Sequence, residues 1–272
     1  MSAVNLKALL LLSVAACVGP LAAQPAAAAA AAKAAITRKV FEVPLPEGGE
    51  QRILLISPEH PKAAMLMLPG GAGILGLTRD GGIRHRDNFV VRTRALWTAR
   101  GYAVLIPDTI HRSNLRGERS TPRYGKLVER LIGIAHERTK APVFVLGTSQ
   151  GTIAAVNGAA HARPGSVAGV ILTEPVAVKG GSHETVFDAG PANVHAPVLV
   201  VTNRDDRCAV AAPAMAPKVA AAMTGSKDVK TETVSGGTSR SWTDCGSLSP
   251  HGYYGIEEQV VGRISGWMDK HL

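Results

Sequence analysis

The chain has 272 residues, 28.3 kDa, with 46% hydrophobic and only 4% aromatic residues. Such a composition excludes wholesale disorder and leaves ample material for one large core, while 3 Cys are too few for a disulfide-dense scaffold. A net charge of +9, from 30 Lys and Arg against 21 Asp and Glu, calls for an anionic partner to be considered, whether nucleic acid, an anionic surface or an acidic small molecule.

Residues 1–23 read as an export signal: Lys7 supplies a short positive region, Ala8–Val18 is nearly all apolar, and small residues follow. The apolar run is too short to span a bilayer stably. Residues 24–36, rich in Ala, read as a linker, and residues 37–272 as one folded domain. Val14-Ala15-Ala16-Cys17 also resembles a lipobox, so ordinary cleavage and lipidation at Cys17 both stay open, and a membrane partner is expected only in the second case. Removing the signal takes away one Lys and no acid, so the positive excess belongs to the remaining chain. It also leaves Cys208 and Cys245, and two cysteines in an oxidising compartment are expected to pair.

Beyond the linker, strand and helix patterns alternate. Arg52–Ser57 and Ala63–Leu68 are short apolar runs. Asp87 is placed to cap a helix with Phe89, Val90, Leu96 and Trp97 on one face, ended by Gly101. Tyr102–Pro107 reads as a strand, and Thr121-Pro122 as a cap with Pro at the first helical position. Tyr124, Leu127, Val128, Leu131 and Ile134 then follow helical spacing. Val143–Leu146 reads as a buried strand followed by a helix of small residues from Gln150 to about Ala160. Val167–Thr173 and Val198–Thr202 are further apolar strands, Val229–Val234 alternates, and Ile256, Val260, Ile264, Trp267 and Met268 mark the face of a last helix. Continuous apolar strands separated by helices predict an α/β fold with a parallel sheet covered on both faces.

The sharpest motif is Gly147-Thr148-Ser149-Gln150-Gly151, a G-x-S-x-G between strand and helix. A nucleophile on so tight a turn needs small flanking residues, and it projects the Ser149 hydroxyl above the sheet. The backbone N–H of Gln150 is then one oxyanion donor. A hydroxyl at its ordinary pKa needs a base. In the chain order Ser, acid, His, the acid is expected just past a later strand. Asp206 fits best, with Asp205 as the near alternative and Glu174 a third. Only His251 and His271 follow Asp206, and His251 sits in the loop before the last helix, whereas His271 is penultimate. His251 is therefore the expected base and Asp206 its orienting acid.

The second oxyanion donor is expected from Leu68-Pro69-Gly70-Gly71-Ala72-Gly73, with Gly71 first and Ala72 second. Gly71-Ala72-Gly73-Ile74-Leu75-Gly76 also spells a G-x-G-x-x-G dinucleotide motif. No helix pattern starts there, however, and the next strand-end acid, Asp108, lies farther on than the ribose-binding acid of that motif. No Cys/His metal-ligand spacing is present, and Ser-based acyl transfer needs no cofactor.

Together the Pro69-Gly70-Gly71 loop, the Gly147–Gly151 elbow, Asp206 and His251, in that order, resemble the α/β-hydrolase superfamily, and more closely its small exported bacterial hydrolases of the dienelactone-hydrolase-like kind. The resemblance covers about Arg52 to Leu272. It implies an eight-stranded, mostly parallel sheet with helices on both faces and hydrolysis through an acyl-enzyme. The chain departs from dienelactone hydrolase in carrying Ser rather than Cys as nucleophile, and from many lipases in having Pro69 where their oxyanion loop begins with His. Glu174–His195, where a lid would enter, is too short for a cap domain.

The expected function is therefore an exported, periplasmic or secreted serine esterase acting on a small-molecule ester. A peptidase or acyltransferase with the same triad is one alternative, and a non-catalytic envelope-binding protein on the same scaffold is another. Nucleic acid is not an expected partner, because few aromatic residues are available for stacking and no helix carries a basic stripe. The charge falls instead on Arg79, Arg84, Arg86, Arg112, Arg116, Arg119, Arg204 and Arg207, in loops expected at the carboxyl ends of the strands. That placement leaves an acidic substrate and the anionic envelope both open as what the charge attracts.

Overall fold

The computed structural model describes Met1, residues 35–44 and residues 49–272. Residues 2–34, which hold the rest of the expected signal segment, Cys17 and most of the expected linker, lie outside the described residues. Ile36, the last residue of that expected linker, opens the first strand.

Eight strands form one sheet: β1 Ile36–Pro44, β2 Glu50–Pro58, β3 Ala63–Leu68, β4 Tyr102–Pro107, β5 Val143–Thr148, β6 Gly169–Thr173, β7 Val198–Asn203 and β8 Val229–Val234. Their order across the sheet is β1-β2-β4-β3-β5-β6-β7-β8. The β1–β2 and β2–β4 pairs are antiparallel and all others parallel. The helices are α1 Phe89–Arg92, α2 Arg94–Ala99, α3 Pro122–Thr139, α4 Gly151–His161, α5 Ala216–Ala222 and α6 Glu257–Met268. The eight-stranded, mostly parallel sheet implied by the resemblance is what the chain forms.

Side chains alternate across a strand, so one buried run feeds two cores. Leu66, Leu68, Leu105, Val143, Val145, Val170, Leu172, Val198 and Val200 point to the face covered by α3, α4 and α5, where Val128, Leu131, Ile153, Val156 and Val219 meet them. Met65, Met67, Val104, Ile106, Phe144, Leu146, Ile171, Leu199 and Val201 point to the other face, against Phe89, Val90 and Trp97 from α1 and α2 and Val260, Ile264 and Trp267 from α6. β3 to β7 are buried almost throughout because both of their faces are covered.

Two local readings are corrected. The cap before Phe89 is Asn88, whose side chain accepts from Val90 N, and not Asp87. The expected single helix is also two short ones, broken at Thr93. The Thr93 hydroxyl donates to Phe89 O and accepts from Trp97 Nε1, which ties the side chain into both turns. In α3, Thr121 caps and Pro122 occupies the first turn as read from sequence.

The connection from β6 to β7 holds only two 3-10 turns, Val186–Ala189 and Pro191–Asn193, and no cap domain. Among the described residues no helix is long and apolar enough to cross a membrane.

Candidate active site

From β3 the chain runs to β4 on one side and then returns to β5 on the other. Ligands in open α/β sheets gather at such a reversal, outside the carboxyl ends of the strands. Here the reversal brings the loop after β3 beside the turn after β5, since Leu68 pairs with Gly147.

Ser149 occupies that turn with φ +52°, a left-handed conformation that a non-glycine residue adopts at a cost of order 1–3 kcal/mol. Its N–H donates to Thr173 O on the neighbouring strand end, and its carbonyl accepts from Thr152 N in the first turn of α4. The flanking glycines are required by contact. A Cβ on Gly147 would sit 2.2 Å from Gly151 O, and one on Gly151 would sit 2.1 Å from Leu68 O. Across the gap, a Cβ on Gly70 would meet Thr148 O at 2.8 Å and Ser149 Cβ at 3.0 Å, so the glycine loop lies directly against the serine.

Gly71 has φ +59°, and Gly73 N closes a turn onto Gly70 O. Among the described residues, neither the Gly71 N–H nor the Gln150 N–H donates to another group. The Gln150 side chain reaches Ser182 Oγ at 3.0 Å, tying the elbow to the β6–β7 connection. Beneath the glycine loop, Asp108 accepts from Leu75 N, Leu77 N and Thr109 N at 2.7–2.8 Å. Its carboxylate is thus spent on its own loop, and among the described residues no helix begins before Phe89. Both facts weigh against a dinucleotide site here.

The three candidate acids part company in space. Asp206 is 6% exposed, and its Oδ2 accepts from His251 Nδ1 at 2.7 Å while its Oδ1 accepts from Cys208 N at 2.8 Å. Asp205 is exposed and turned away, accepting from Gly236 N. Glu174 is fully buried behind the pair with φ +47°, and Oε1 accepts from Asn203 N at 2.6 Å. Burial, reinforced by the charge of Asp206, pushes the Glu174 carboxyl well above the usual carboxylate range.

His251 lies on a 3-10 turn, Pro250–Gly252, whose N–H is capped by Ser249 Oγ. The ring is 3% exposed, and its Nε2 makes no hydrogen bond. Glu174, Asp206 and His251 bring ligand-type atoms within 4.8 Å of one another. The cluster is not read as a metal centre, because the Nδ1–Oδ2 hydrogen bond already uses the facing lone pair. His271, the other candidate base, pairs instead with Asp228 at the far end of α6.

Two supports, Asn203 and Arg92, were not legible as site residues, and a third, the disulfide, is the pair expected from sequence. Asn203 Nδ2 donates to Gly236 O and Pro250 O at 2.9 and 3.0 Å, joining the acid loop to the histidine loop. Arg92 donates to Ser247 O and Gly252 O and pairs with Glu257, pinning the same loop from α1. A disulfide joins Cys208, two residues past Asp206, to Cys245, six before His251. Nothing in the local sequence around Arg92 or Asn203 marks them; only the tertiary contacts do.

The arginine rim needs one correction. Arg119 is 1% exposed; its Nη2 donates to Pro69 O, and Nη1 has no partner. Burial lowers its pKa, opposed by Tyr124 and Glu184 nearby. It is an internal strut of the glycine loop rather than a surface charge. Arg79, Arg84, Arg86, Arg112, Arg116, Arg204 and Arg207 are exposed. Arg116 lies against the glycine loop, with Nη2 3.7 Å from the place a Cβ on Gly71 would take. Two concavities of about 580 and 920 Å³ flank the loop from Thr109 to Ser120, and neither is lined by Ser149, Asp206 or His251.

No family model and no curated protein matches the sequence. Solved structures do match the fold. A dienelactone hydrolase from Anabaena variabilis superposes with a TM-score of 0.58 at 18% identity, covering 87% of this chain and 98% of that one. A proline iminopeptidase from Mycobacterium smegmatis gives 0.58 at 14% identity, covering 86% and 98%. An α/β serine hydrolase without lid from Xanthomonas campestris gives 0.54 at 13% identity, covering 84% and 94%.

Proposed function

We propose that this chain, which has the α/β-hydrolase fold, is an exported serine hydrolase that cleaves carboxylic esters through an acyl-enzyme on Ser149. The observation that carries the reading is the strained Ser149 elbow facing a glycine loop, on the same sheet end as a buried Asp206–His251 pair.

In this mechanism Ser149 Oγ attacks the ester carbonyl carbon and its proton passes to His251 Nε2, the buried ring nitrogen left without a hydrogen bond in the free protein. Asp206 holds Nδ1 protonated and stabilises the imidazolium. The N–H groups of Gly71 and Gln150 receive the developing oxyanion, and preorganised donors of this kind are worth about 3–4 kcal/mol each in the barrier. The imidazolium returns its proton to the leaving alcohol. Water then repeats the cycle on the acyl-enzyme, releasing the acid and regenerating Ser149. No metal or cofactor enters any step.

The likeness to solved esterase and hydrolase folds supports hydrolysis, and the Cys208–Cys245 bond supports an oxidising compartment. Arg116 beside the glycine loop supports an acidic group on the substrate. The same triad serves amide cleavage or acyl transfer, and one fold neighbour is a proline iminopeptidase. An ester and amide panel with graded charge and acyl length separates these outcomes.

The reading is tested with a fluorophosphonate probe and tryptic mapping. The expected result is one adduct, on Ser149, abolished in Ser149→Ala with the circular dichroism unchanged. A folded protein that forms no adduct would leave only the non-catalytic, envelope-binding alternative.

A further inference from the structure

The buried acid behind the triad has no part in the mechanism above, yet its position is costly. Glu174 is fully buried in a left-handed backbone conformation, directly after β6. Its two oxygens are treated differently by the fold. Oε1 accepts from Asn203 N at 2.6 Å, as a carbonyl-like oxygen does. Oε2 is buried and receives no donor. An ionised carboxylate in that setting would leave one anionic oxygen unsolvated, next to a second carboxylate. A protonated Oε2 instead needs an acceptor, and the carboxylate of Asp206 lies within 4.8 Å.

The groups facing Glu174 come from two further elements. The loop after β7 presents Asp206, and the turn before α6 presents the His251 ring and the buried hydroxyl of Tyr253. Tyr253 donates to Val201 O at 2.9 Å, so its proton is already used. Asp206 Oδ2 is occupied by His251 and Oδ1 by Cys208 N. Each of these oxygens can still accept a second bond.

We propose that Glu174 and Asp206 form a carboxyl–carboxylate pair with a single proton held on Glu174, so that one negative charge faces His251 and the Glu174 hydroxyl steadies Asp206. Glu174 is then a positioning residue that acts through Asp206 and touches no substrate. The pair explains how a glutamic acid is kept in the core beside an existing acid: burial and a neighbouring carboxylate within 4.8 Å both oppose a second ionisation. Its consequence for the reaction rests on the serine-hydrolase reading, but the location of the proton does not.

Two measurements test it. Infrared spectra of the wild-type protein at pH 7 should contain a protonated-carboxyl stretch, where ordinary Asp and Glu are ionised, and Glu174→Gln should lose it. No such band in the wild type, or a band that survives in Glu174→Gln, overturns the assignment. This arm needs no catalytic activity.

The second arm follows fluorophosphonate labelling of Ser149 against pH. Glu174→Leu removes the donor to Asp206, concentrates its charge on the imidazolium, and should move the acid limb up by about one pH unit, slowing labelling about tenfold at pH values well below the limb. Glu174→Gln, a neutral donor, should bring the limb back. A limb that falls by about one unit in Glu174→Gln would mean that an ionised Glu174 had been removed. Wild-type limbs in both variants would reduce Glu174 to a packing role. Either result defeats the proposal. If the wild type itself fails to label, the hydrolase reading falls, and the infrared band still decides the proton.

Discussion

His251 Nδ1 donates to Asp206 Oδ2 at 2.7 Å across 45 residues of sequence, and both side chains are almost wholly removed from solvent. Burial at this distance makes the pair strong and directional, because little water screens it. The neighbouring Asp205 shows what the fold selected against: one residue earlier, its carboxylate points to the Gly236 loop and remains exposed.

That contrast yields the first prediction. Asp206→Asn should lower kcat for an ester substrate by about 10⁴-fold by favouring the wrong imidazole tautomer, with the fold retained. Asp205→Asn should leave kcat within about threefold, as an exposed substitution does. Steady-state kinetics on both variants, with circular dichroism alongside, checks the pair. Equal losses would contradict the assignment of the acid.

The disulfide closes a separation of 37 residues that contains β8 and links the acid loop to the histidine loop. The chain-entropy treatment assigns such a loop about 4 kcal/mol of stability, so the double variant Cys208→Ala/Cys245→Ala should melt about 10 °C lower. Differential scanning calorimetry with and without reductant measures it. An unchanged Tm on reduction would show that the link constrains nothing.

The elbow glycines separate contact from propensity. Gly151→Ala drives a methyl to 2.1 Å from Leu68 O and should leave little folded protein. Gly133→Ala, on the exposed face of α3 with nothing within 4 Å, should stabilise by about 1 kcal/mol. Urea denaturation of the two variants gives opposite signs if the packing argument holds.

Arg116 offers a test of substrate charge. Arg116→Ala should lower kcat/KM for an ester bearing a carboxylate and leave a neutral ester of equal length nearly unaffected. The anionic ester alone should lose rate as salt is raised. Matching salt profiles for both esters would remove substrate charge from the reading.

Glu174 links the site to stability. Burial first, and then the charge of Asp206, raise its carboxyl well above the usual range in the folded protein. Below the ordinary carboxyl pKa, both folded and unfolded chains hold the proton, and its contribution is fully present. As pH rises, the unfolded chain releases the proton first, so stability is lost up to the folded pKa, by at most about 1.4 kcal/mol per pH unit. Glu174→Gln has no such proton. Its urea midpoint should therefore rise relative to that of the wild type as the pH is raised above the ordinary carboxyl range. A constant margin would contradict the raised carboxyl.

The strands from β3 to β7 were legible because both faces of each are buried, which leaves unbroken apolar runs between helical patterns. The Ser149 elbow was legible because contact forces both of its glycines. β1 gave no such signal. It is a mostly exposed edge strand, Ile36–Pro44, whose order comes from antiparallel pairing with β2. Asn88 and Asp87 are both good caps, and only the backbone path selects one.

By itself the sequence determined the α/β class, the order in which Ser149, the candidate acids and His251 follow along the chain, and the expectation that Cys208 pairs with Cys245. The tertiary structure decided which of Asp205, Asp206 and Glu174 faces His251. It also buried Arg119 under the glycine loop and brought Arg92 and Asn203 to the histidine loop. The physical reason is common to these cases. Periodicity and local turns report how much of each residue is buried, whereas the direction of a polar side chain is fixed by partners dozens of residues away.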